Sequence, residues 1–267
     1  MRFKKANLMY YVFSFMGGLL ILFILLPLAR SILAQSPAIL IEEAGDKGVQ
    51  EAIFNSIFLA AVTATIAALF GVPLAYILAR VRFFGKSLIE SIVDLPLAIP
   101  HTVAGILLLF VFGRYGMVGA LFERFFSLRF VGTRLGIVVA MLFVSLPFMV
   151  NSAREGFESV DVRMEQVART LGATPSEVFR RVSLPLAIRG VLTGWVLTWA
   201  RAISEFGAVI ILAYYPMTAP VKVYDVYSQL DLKHSSAVSV LLLVFCLAGF
   251  VIFRLLAYGG MGMGNKK

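Results

Sequence analysis

The sequence is poor in charged residues, cysteine and histidine, and each shortage excludes a class of protein. Only 15% of the 267 residues are charged, whereas soluble globular proteins have about 25%. The single cysteine, Cys246, cannot form an intrachain disulfide, and with two histidines it provides no metal-site spacing. Gly-x-Ser-x-Gly, paired-histidine and Gly-rich Lys-Ser/Thr motifs are also missing. We therefore predict no catalytic residue, no metal, no cofactor and no ATP hydrolysis by this chain itself.

Hydrophobic residues instead make up 60% of the chain and gather in long runs. Each run has around 20 residues, the length that crosses a membrane as a helix. We predict an all-α polytopic membrane protein in which residues 1–267 form a single transmembrane domain. The predicted spans lie near residues 9–29, 54–79, 88–112, 135–152, 189–213 and 237–257. The first span is longer than the apolar part of a signal peptide, about 7–15 residues, so we expect it to be retained.

Lysine and arginine concentrate in alternate loops, which predicts the orientation of the helices. With the N-terminus inside, the inner segments hold fifteen of these residues and the outer segments eight, and Arg201 within a span completes the total of 24. Because cytoplasmic loops carry such an excess, we predict that both termini lie inside. The net charge of +9 follows this distribution and forms no basic stripe interleaved with aromatic residues. We therefore predict no nucleic-acid partner.

The outer loop 113–134 is the exception, because it holds four arginines. They are Arg114, Arg124, Arg129 and Arg134. One interpretation is an electropositive vestibule that attracts an anion. The other is a loop ordered by lipid phosphates and by local pairs such as Glu123 with Arg124.

A polar segment, residues 153–188, separates two apolar stretches, and its helix caps can be identified. Asp161 is a favourable N-cap, and Gly172 suits the left-handed position that ends a helix. Apolar residues recur between them at helical spacing: Met164, Val167, Ala168 and Leu171. Thr174-Pro175-Ser176-Glu177 is a capping box that begins a second helix.

Two environments suit the apolar stripe of this short helix: a lipid surface and a groove in another protein. A helix of about ten residues is marginal on its own in water. It also has no aromatic anchor for the membrane interface. We therefore favour the protein groove.

The fifth predicted span contains a pair of opposite charges near its centre, Arg201 and Glu205. Each charge costs about 2.5–3.5 kcal/mol at the centre of a membrane helix. Because they are four residues apart, they share one helix face and can form an ion pair. We favour a role in the translocation pathway or its gate. The alternative is an ion pair that only fixes helix packing.

The third predicted span has two prolines four residues apart, Pro96 and Pro100, between Asp94 and His101. Proline frees backbone carbonyls in a membrane helix, which is tolerated where other helices or water satisfy them. We predict a bend beside the pathway. The alternative is a structural kink alone.

Residues 165–187 resemble the cytoplasmic loop of ABC-importer permeases. That pattern is Glu-Ala-Ala, three residues, Gly, nine residues, an aliphatic residue, one residue and Leu-Pro. It falls here on Gln166, Val167, Ala168, Gly172, Val182, Leu184 and Pro185. Gln and Val replace the usual Glu and first Ala, which leaves no carboxylate at position 166. Segments 95–105 and 200–208 resemble the sulfate, molybdate and tungstate branch, and Pro-His-Thr-Val-Ala-Gly-Ile resembles its archaeal-type members.

This resemblance implies a type I importer permease with a core over about residues 54–257. It implies a homodimer in the plasma membrane, with two cytoplasmic ATP-binding subunits and an extracytoplasmic oxyanion-binding protein. The coupling residues implied in loop 153–188 are Gln166, Val167, Ala168, Arg169, Leu171, Gly172, Leu184 and Pro185. The gate candidates are Pro100, His101, Arg201, Ser204, Glu205, Phe206 and Gly207.

The implied function is ATP-driven import of tungstate or molybdate. Sulfate or thiosulfate, and phosphate less readily, are alternative substrates of the same class. An ion-coupled carrier is a different class of function. It would use Asp94, His101, Arg201 and Glu205 as a relay and would not need the docking helix.

Overall fold

In a computed structural model of the chain, residues 8–229 and 232–259 are described, and they are helical with short connections. The first seven helices are α1 (Leu8–Leu33), α2 (Pro37–Gly45), α3 (Lys47–Arg80), α4 (Lys86–Ala98), α5 (His101–Phe112), α6 (Met117–Phe126) and α7 (Arg134–Glu158). Next are α8 (Val162–Thr170), α9 (Pro175–Val178), a π-helical turn (Phe179–Ser183), α10 (Leu184–Ile203), α11 (Gly207–Leu212), α12 (Ala219–Gln229) and α13 (Leu232–Gly259).

The number of candidate spans agrees with the sequence prediction. Five helical stretches of the described chain are long and apolar enough to cross a membrane, and the bent pair α4–α5 is a sixth candidate. The five stretches are Met9–Leu33, Lys47–Arg80, Arg134–Glu158, Pro175–Ile203 and Leu232–Gly249. The all-α prediction is confirmed.

The third predicted span, 88–112, is broken rather than only kinked. Helices α4 and α5 meet at an angle of 114°. Between them Ile99 has extended backbone angles and precedes Pro100. A residue before proline avoids the α region, and Pro100 itself has no N–H to continue the helix. The predicted bend is therefore present and separates two helices.

The prediction of one continuous fifth span over 189–213 is wrong. Helix α10 ends at Ile203 and α11 begins at Gly207. The carboxylate of Glu205 accepts a hydrogen bond from the backbone N–H of Ala208 at 2.8 Å. This bond satisfies a donor that the first turn of α11 would otherwise leave free. Arg201 therefore lies in the last turn of α10 and Glu205 in the break that follows, and neither is near the centre of a helix.

Helices α3, α7 and α10 pack against one another and form most of the core. Its largest fully buried side chains include Trp199, Phe157 and Met141. Helices α7 and α10 approach closely at two glycines, because a Cβ on Gly190 would lie 2.5 Å from the Cα of Gly156. Small residues at such crossings allow close van der Waals packing between membrane helices.

Helix α1 lies at the periphery of the folded chain, and its side chains are largely exposed. The side-chain amide of Gln35, just after α1, donates to Ser236 Oγ on α13 at 2.6 Å. Gly17 and Gly18 of α1 mark no close helix crossing in the described part of a single chain, because nothing lies within 4 Å of a Cβ placed on either glycine.

Candidate functional site

Helix α8 has the caps that the sequence predicts. The side chain of Asp161 accepts a hydrogen bond from the backbone N–H of Arg163 at 2.9 Å. At the other end Gly172 has φ of 92°. Gly172 N–H donates to Arg169 O and Ala173 N–H to Ala168 O, both at 3.0 Å. This is the Schellman arrangement, which satisfies the last carbonyls of a helix.

A second helix starts directly afterwards at the predicted capping box. Glu177 N–H donates to Thr174 Oγ1, and Thr174 N–H donates to the Glu177 carboxylate. Helix α8 therefore has a local cap at each end, and the capping box directly after it starts α9. The ends of the helix are set by residues 161–177.

The apolar stripe of α8 is exposed along its length. Met164, Val167 and Leu171 have 54%, 56% and 83% of their surface accessible. Gln166 and Arg169 are exposed as well, and Ala168 is half-buried. Exposed apolar side chains grouped on one face mark a site of interaction with a protein or a membrane.

The connection from α8 to α10 contains a feature that the sequence analysis missed. Residues Phe179–Ser183 form a π-helical turn that joins α9 to α10 without a loop. Leu184 is half-buried and Pro185 is exposed in the first turn of α10. Pro185 has no N–H for the usual bond to the preceding turn, and a π-turn is one way to accommodate the interruption. Proline within a continuous helical run was the available signal.

Glu165 is the second feature that the sequence analysis missed. It precedes the family motif by one position, yet only 4% of its side chain is exposed. Arg80 Nε lies 2.8 Å from its carboxylate, and Ser183 Oγ donates to the same oxygen, Oε1, at 2.9 Å. Arg80 also donates to the carbonyl oxygen of Val160 at 3.0 Å. The side of α8 away from the apolar stripe is therefore held by a buried polar network.

The break between α10 and α11 holds the second group of predicted residues. Arg201 Nη2 donates to Glu205 Oε2 at 2.8 Å, and only 1% of the Glu205 side chain is exposed. His101 Nδ1 lies 3.5 Å from the same carboxylate oxygen. Arg201 Nη2 is 3.0 and 3.1 Å from the two ring nitrogens of His101. The predicted ion pair is confirmed, and His101 joins it.

The two broken spans meet at this cluster. A Cβ on Gly207 would lie 2.7 Å from the Cβ of His101, and one on Gly105 would lie 3.0 Å from the Cα of Ala208. The absence of side chains on these glycines therefore allows α5 and α11 to touch. His101 is the first residue of α5 and Gly207 the first of α11. Breaks that are far apart in the sequence form one site.

The remaining gate candidates surround this cluster without joining its ion pair. Ser204 is exposed and its hydroxyl donates to the carbonyl oxygen of Arg201 at 3.0 Å. Phe206 is half-buried, and its ring centroid lies 5.3 Å from that of Tyr224. Pro100 is exposed immediately before His101.

Asp94 is separate from the cluster. Asn151 Nδ2 donates to Asp94 Oδ1 at 2.7 Å. Within the ranges 8–229 and 232–259, no hydrogen bond or ion pair joins Asp94 to His101, Arg201 or Glu205. Asp94 therefore makes no direct contact of this kind with the other three residues of the carrier hypothesis in the described part of the chain.

The arginine-rich loop is ordered by a different pair from the one predicted. Glu123 lies 2.9 Å from Arg129 and 3.9 Å from Arg114. Arg124 lies instead over the ring of Phe125, at 5.9 Å from its centroid. The prediction that Glu123 pairs with Arg124 is therefore wrong, although Glu123 does form a local ion pair with Arg129.

Comparison with known proteins decides the family. The family model of the binding-protein-dependent transport system inner membrane component matches residues 71–259, which include both α8 and the α10–α11 break. The chain belongs to this family. Other members support the same placement over more of the chain. The molybdate/tungstate transport system permease protein WtpB of Thermococcus kodakarensis is 44% identical over 246 residues, covering 91% of this chain and 94% of that protein.

Two further relatives and one solved structure are also similar to this chain. WtpB of Pyrococcus furiosus is 42% identical, covering 96% of this chain and 98% of its own. The sulfate transport system permease protein CysT of Synechocystis is 32% identical, covering 92% and 88%. The crystal structure of a bacterial alginate ABC transporter with its pentasaccharide-bound periplasmic protein contains a chain with a TM-score of 0.70, covering 93% and 92% at 15% identity. That likeness establishes a shared fold. The family match and the permease relatives, together with the apolar helices, make the chain a multi-pass membrane protein of the permease class.

Proposed function

We propose that the chain is the transmembrane permease subunit of an ATP-driven, binding-protein-dependent importer of molybdate or tungstate. The relatives named for these two anions are 42–44% identical, whereas those named as sulfate permeases are 31–37% identical. The chain itself performs no reaction in this proposal. A separate ATP-binding subunit hydrolyses ATP.

The observation that carries the proposal is the double-capped helix α8 with an exposed apolar stripe. A nine-residue helix is marginal in isolation, so its fixed caps and exposed face suit docking into a preformed groove. We assign Gln166, Val167, Ala168, Arg169, Leu171 and Gly172 to docking on the ATP-binding subunit. Leu184 and Pro185 connect the docked segment to α10.

We further propose the assembly that this docking requires. Two copies of the chain form a homodimer with two cytoplasmic ATP-binding subunits and an extracytoplasmic oxyanion-binding protein. The termini lie in the cytoplasm, because the inner segments are richer in lysine and arginine. Membrane lipid surrounds the remaining apolar surface.

The cluster at the two helix breaks is the proposed gate. Broken helices are tolerated in membrane proteins where their free backbone groups are buried in protein or line a water-filled cavity, and a substrate path is such a cavity. Arg201 supplies hydrogen-bond donors for an oxyanion, while His101 and Glu205 contact its guanidinium and hold it in place. Pro100, Ser204, Phe206 and Gly207 shape the surroundings of these three residues.

The test is ATP hydrolysis by the chain co-purified with its ATP-binding subunit and reconstituted in liposomes with the binding protein. We expect tungstate or molybdate to stimulate hydrolysis and sulfate not to. Stimulation by sulfate alone would keep the importer and change its substrate. Anion uptake without any ATP-binding subunit would favour the ion-coupled carrier.

The docking assignment has its own variant. Val167→Asp places a charge on the exposed stripe and is expected to abolish co-purification with the ATP-binding subunit. Tyr115→Asp is a matched control, because Tyr115 is 94% exposed and lies in the loop between α5 and α6. Equal co-purification of both variants would rule out docking through α8.

A further inference from the structure

The buried side of α8 contains an ion pair that the proposed docking does not use. Arg80 and Glu165 are 10% and 4% exposed at their side chains, and 2.8 Å separates Arg80 Nε from Glu165 Oε1. The apolar stripe points to the outside while this carboxylate points into the chain. Helix α8 therefore has one face free for a partner and one face fixed to its own subunit.

The Arg80–Glu165 pair and Ser183 together join three parts of the fold. Arg80 is the last residue of α3, and Glu165 lies in the first turn of α8. Ser183, which is fully buried, is the last residue of the π-turn that leads into α10, and its hydroxyl donates to Glu165 Oε1. One carboxylate oxygen thus receives hydrogen bonds from the end of α3 and from the start of α10.

The hydrogen bonds at this junction oppose movement of α8 relative to α3 and α10. Charge-assisted hydrogen bonds are shorter and stronger than neutral ones and have a preferred direction. An apolar contact in the same place could shift with little loss, because it has no such direction. The neighbouring π-turn is a local distortion of the helix, of the kind found at functional sites. A displacement of α8 is therefore transmitted to α10 through the directional hydrogen bond between Ser183 and Glu165, at the end of the π-turn.

We propose that Arg80, Glu165 and Ser183 are positioning residues that make α8, the end of α3 and the start of α10 move as one body. This inference rests on the proposed function, in which the ATP-binding subunit displaces α8. Helix α10 has 20 residues, so it extends about 30 Å. Its far end holds Arg201, which binds Glu205 at the proposed gate. The network thus passes the displacement of α8 to the gate.

The experiment measures anion transported per ATP hydrolysed, in proteoliposomes containing the permease, its ATP-binding subunit and the binding protein with molybdate or tungstate. Glu165→Gln removes the charge and keeps the shape. Arg80→Met combined with Glu165→Met removes the pair without leaving a lone buried charge. Both variants leave the exposed stripe unchanged, so we expect co-purification and ATP hydrolysis to persist. The transport-to-hydrolysis ratio is expected to fall roughly tenfold, within the range of ordinary coupling effects.

Glu90→Gln is the matched control. It removes a 2.9 Å ion pair to Arg154 that links α4 to α7 and does not touch α8, so its ratio is expected to match the wild type. A wild-type ratio in the double Met variant would overturn the inference, because the pair would then only stabilise the fold. Loss of co-purification in both Glu165 variants would also overturn it, because Glu165 would then act in docking. Failure of the wild type to bind the ATP-binding subunit would instead reject the proposed function.

Discussion

Glu205 is a buried acidic residue with a hydrogen-bond partner at each carboxylate oxygen. One carboxylate oxygen accepts from Arg201 and the other from the backbone N–H of Ala208, both at 2.8 Å. His101 approaches the first of these oxygens at 3.5 Å. The carboxylate therefore neutralises Arg201 and caps α11 at the same time. Loss of this side chain affects both an ion pair and a helix start.

We predict that Glu205→Ala is more harmful than Glu205→Ala combined with Arg201→Ala. The single change leaves a lone cation at a buried site, which costs about 3–5 kcal/mol for a broken buried pair. The double change removes that cation and leaves only the lost cap. Thermal unfolding of the purified variants in detergent measures the difference. Additive losses in the complete cycle, with Arg201→Ala alone as the fourth corner, would show that the two residues do not interact.

Gly172 is a backbone requirement at the end of α8. Nothing lies within 4 Å of a Cβ at this position, but φ is 92°. A β-branched side chain therefore meets no neighbour and still strains the backbone, by roughly 1–2 kcal/mol in the left-handed region. We predict that Gly172→Val uncouples ATP hydrolysis from uptake without preventing membrane insertion.

Uptake and hydrolysis in proteoliposomes measure this effect. Gly45→Val is the control, because Gly45 also has open space around it and has no positive φ. Wild-type coupling in Gly172→Val would remove the proposed role of the cap.

At the scale of elements, the sequence predicts α8 closely because its signals are local. Asp161, Gly172 and the Thr174–Glu177 box act on backbone groups within a few residues. In the broken third span, Pro96 and Pro100 predict that the helix is distorted. The angle of 114° between α4 and α5 is not predicted, because it depends on what α5 packs against. The break in the fifth span has no proline to announce it. It depends on Glu205 and on the contact between Gly207 and His101.

The crossing of α7 and α10 leads to a prediction for helix packing. A Cβ on Gly190 would lie 2.5 Å from Gly156 Cα and 2.8 Å from Ser152 O. Both are backbone atoms that cannot rotate away, so we expect Gly190→Val to push the helices apart. Overpacking of this kind costs about 1–3 kcal/mol. Thermal unfolding in detergent should show a lower midpoint for Gly190→Val and an unchanged one for Gly17→Val, since Gly17 has open space around it. Equal midpoints would contradict the close crossing.

At the scale of the whole molecule, the proposed orientation places α8 and the α5–α6 loop on opposite sides of the membrane. In the permease expressed without its ATP-binding subunit, we predict that Arg169→Cys reacts with an impermeant thiol reagent only from the inside, and Tyr115→Cys only from the outside. Both positions are exposed. Replacing the native Cys246 with alanine removes the background reaction. Labelling of both positions from one side would reject the orientation.

The sequence by itself determined the features that arise from composition and from neighbouring residues. They are the membrane class, the number of candidate spans, the caps of α8 and the pairing of Arg201 with Glu205, because hydropathy and short spacings act between residues that are close along the chain. Only the tertiary structure decided that His101 completes this pair and that Arg80 and Ser183 bury Glu165. These contacts join residues far apart along the chain. They depend on how the helices pack, which no local pattern specifies.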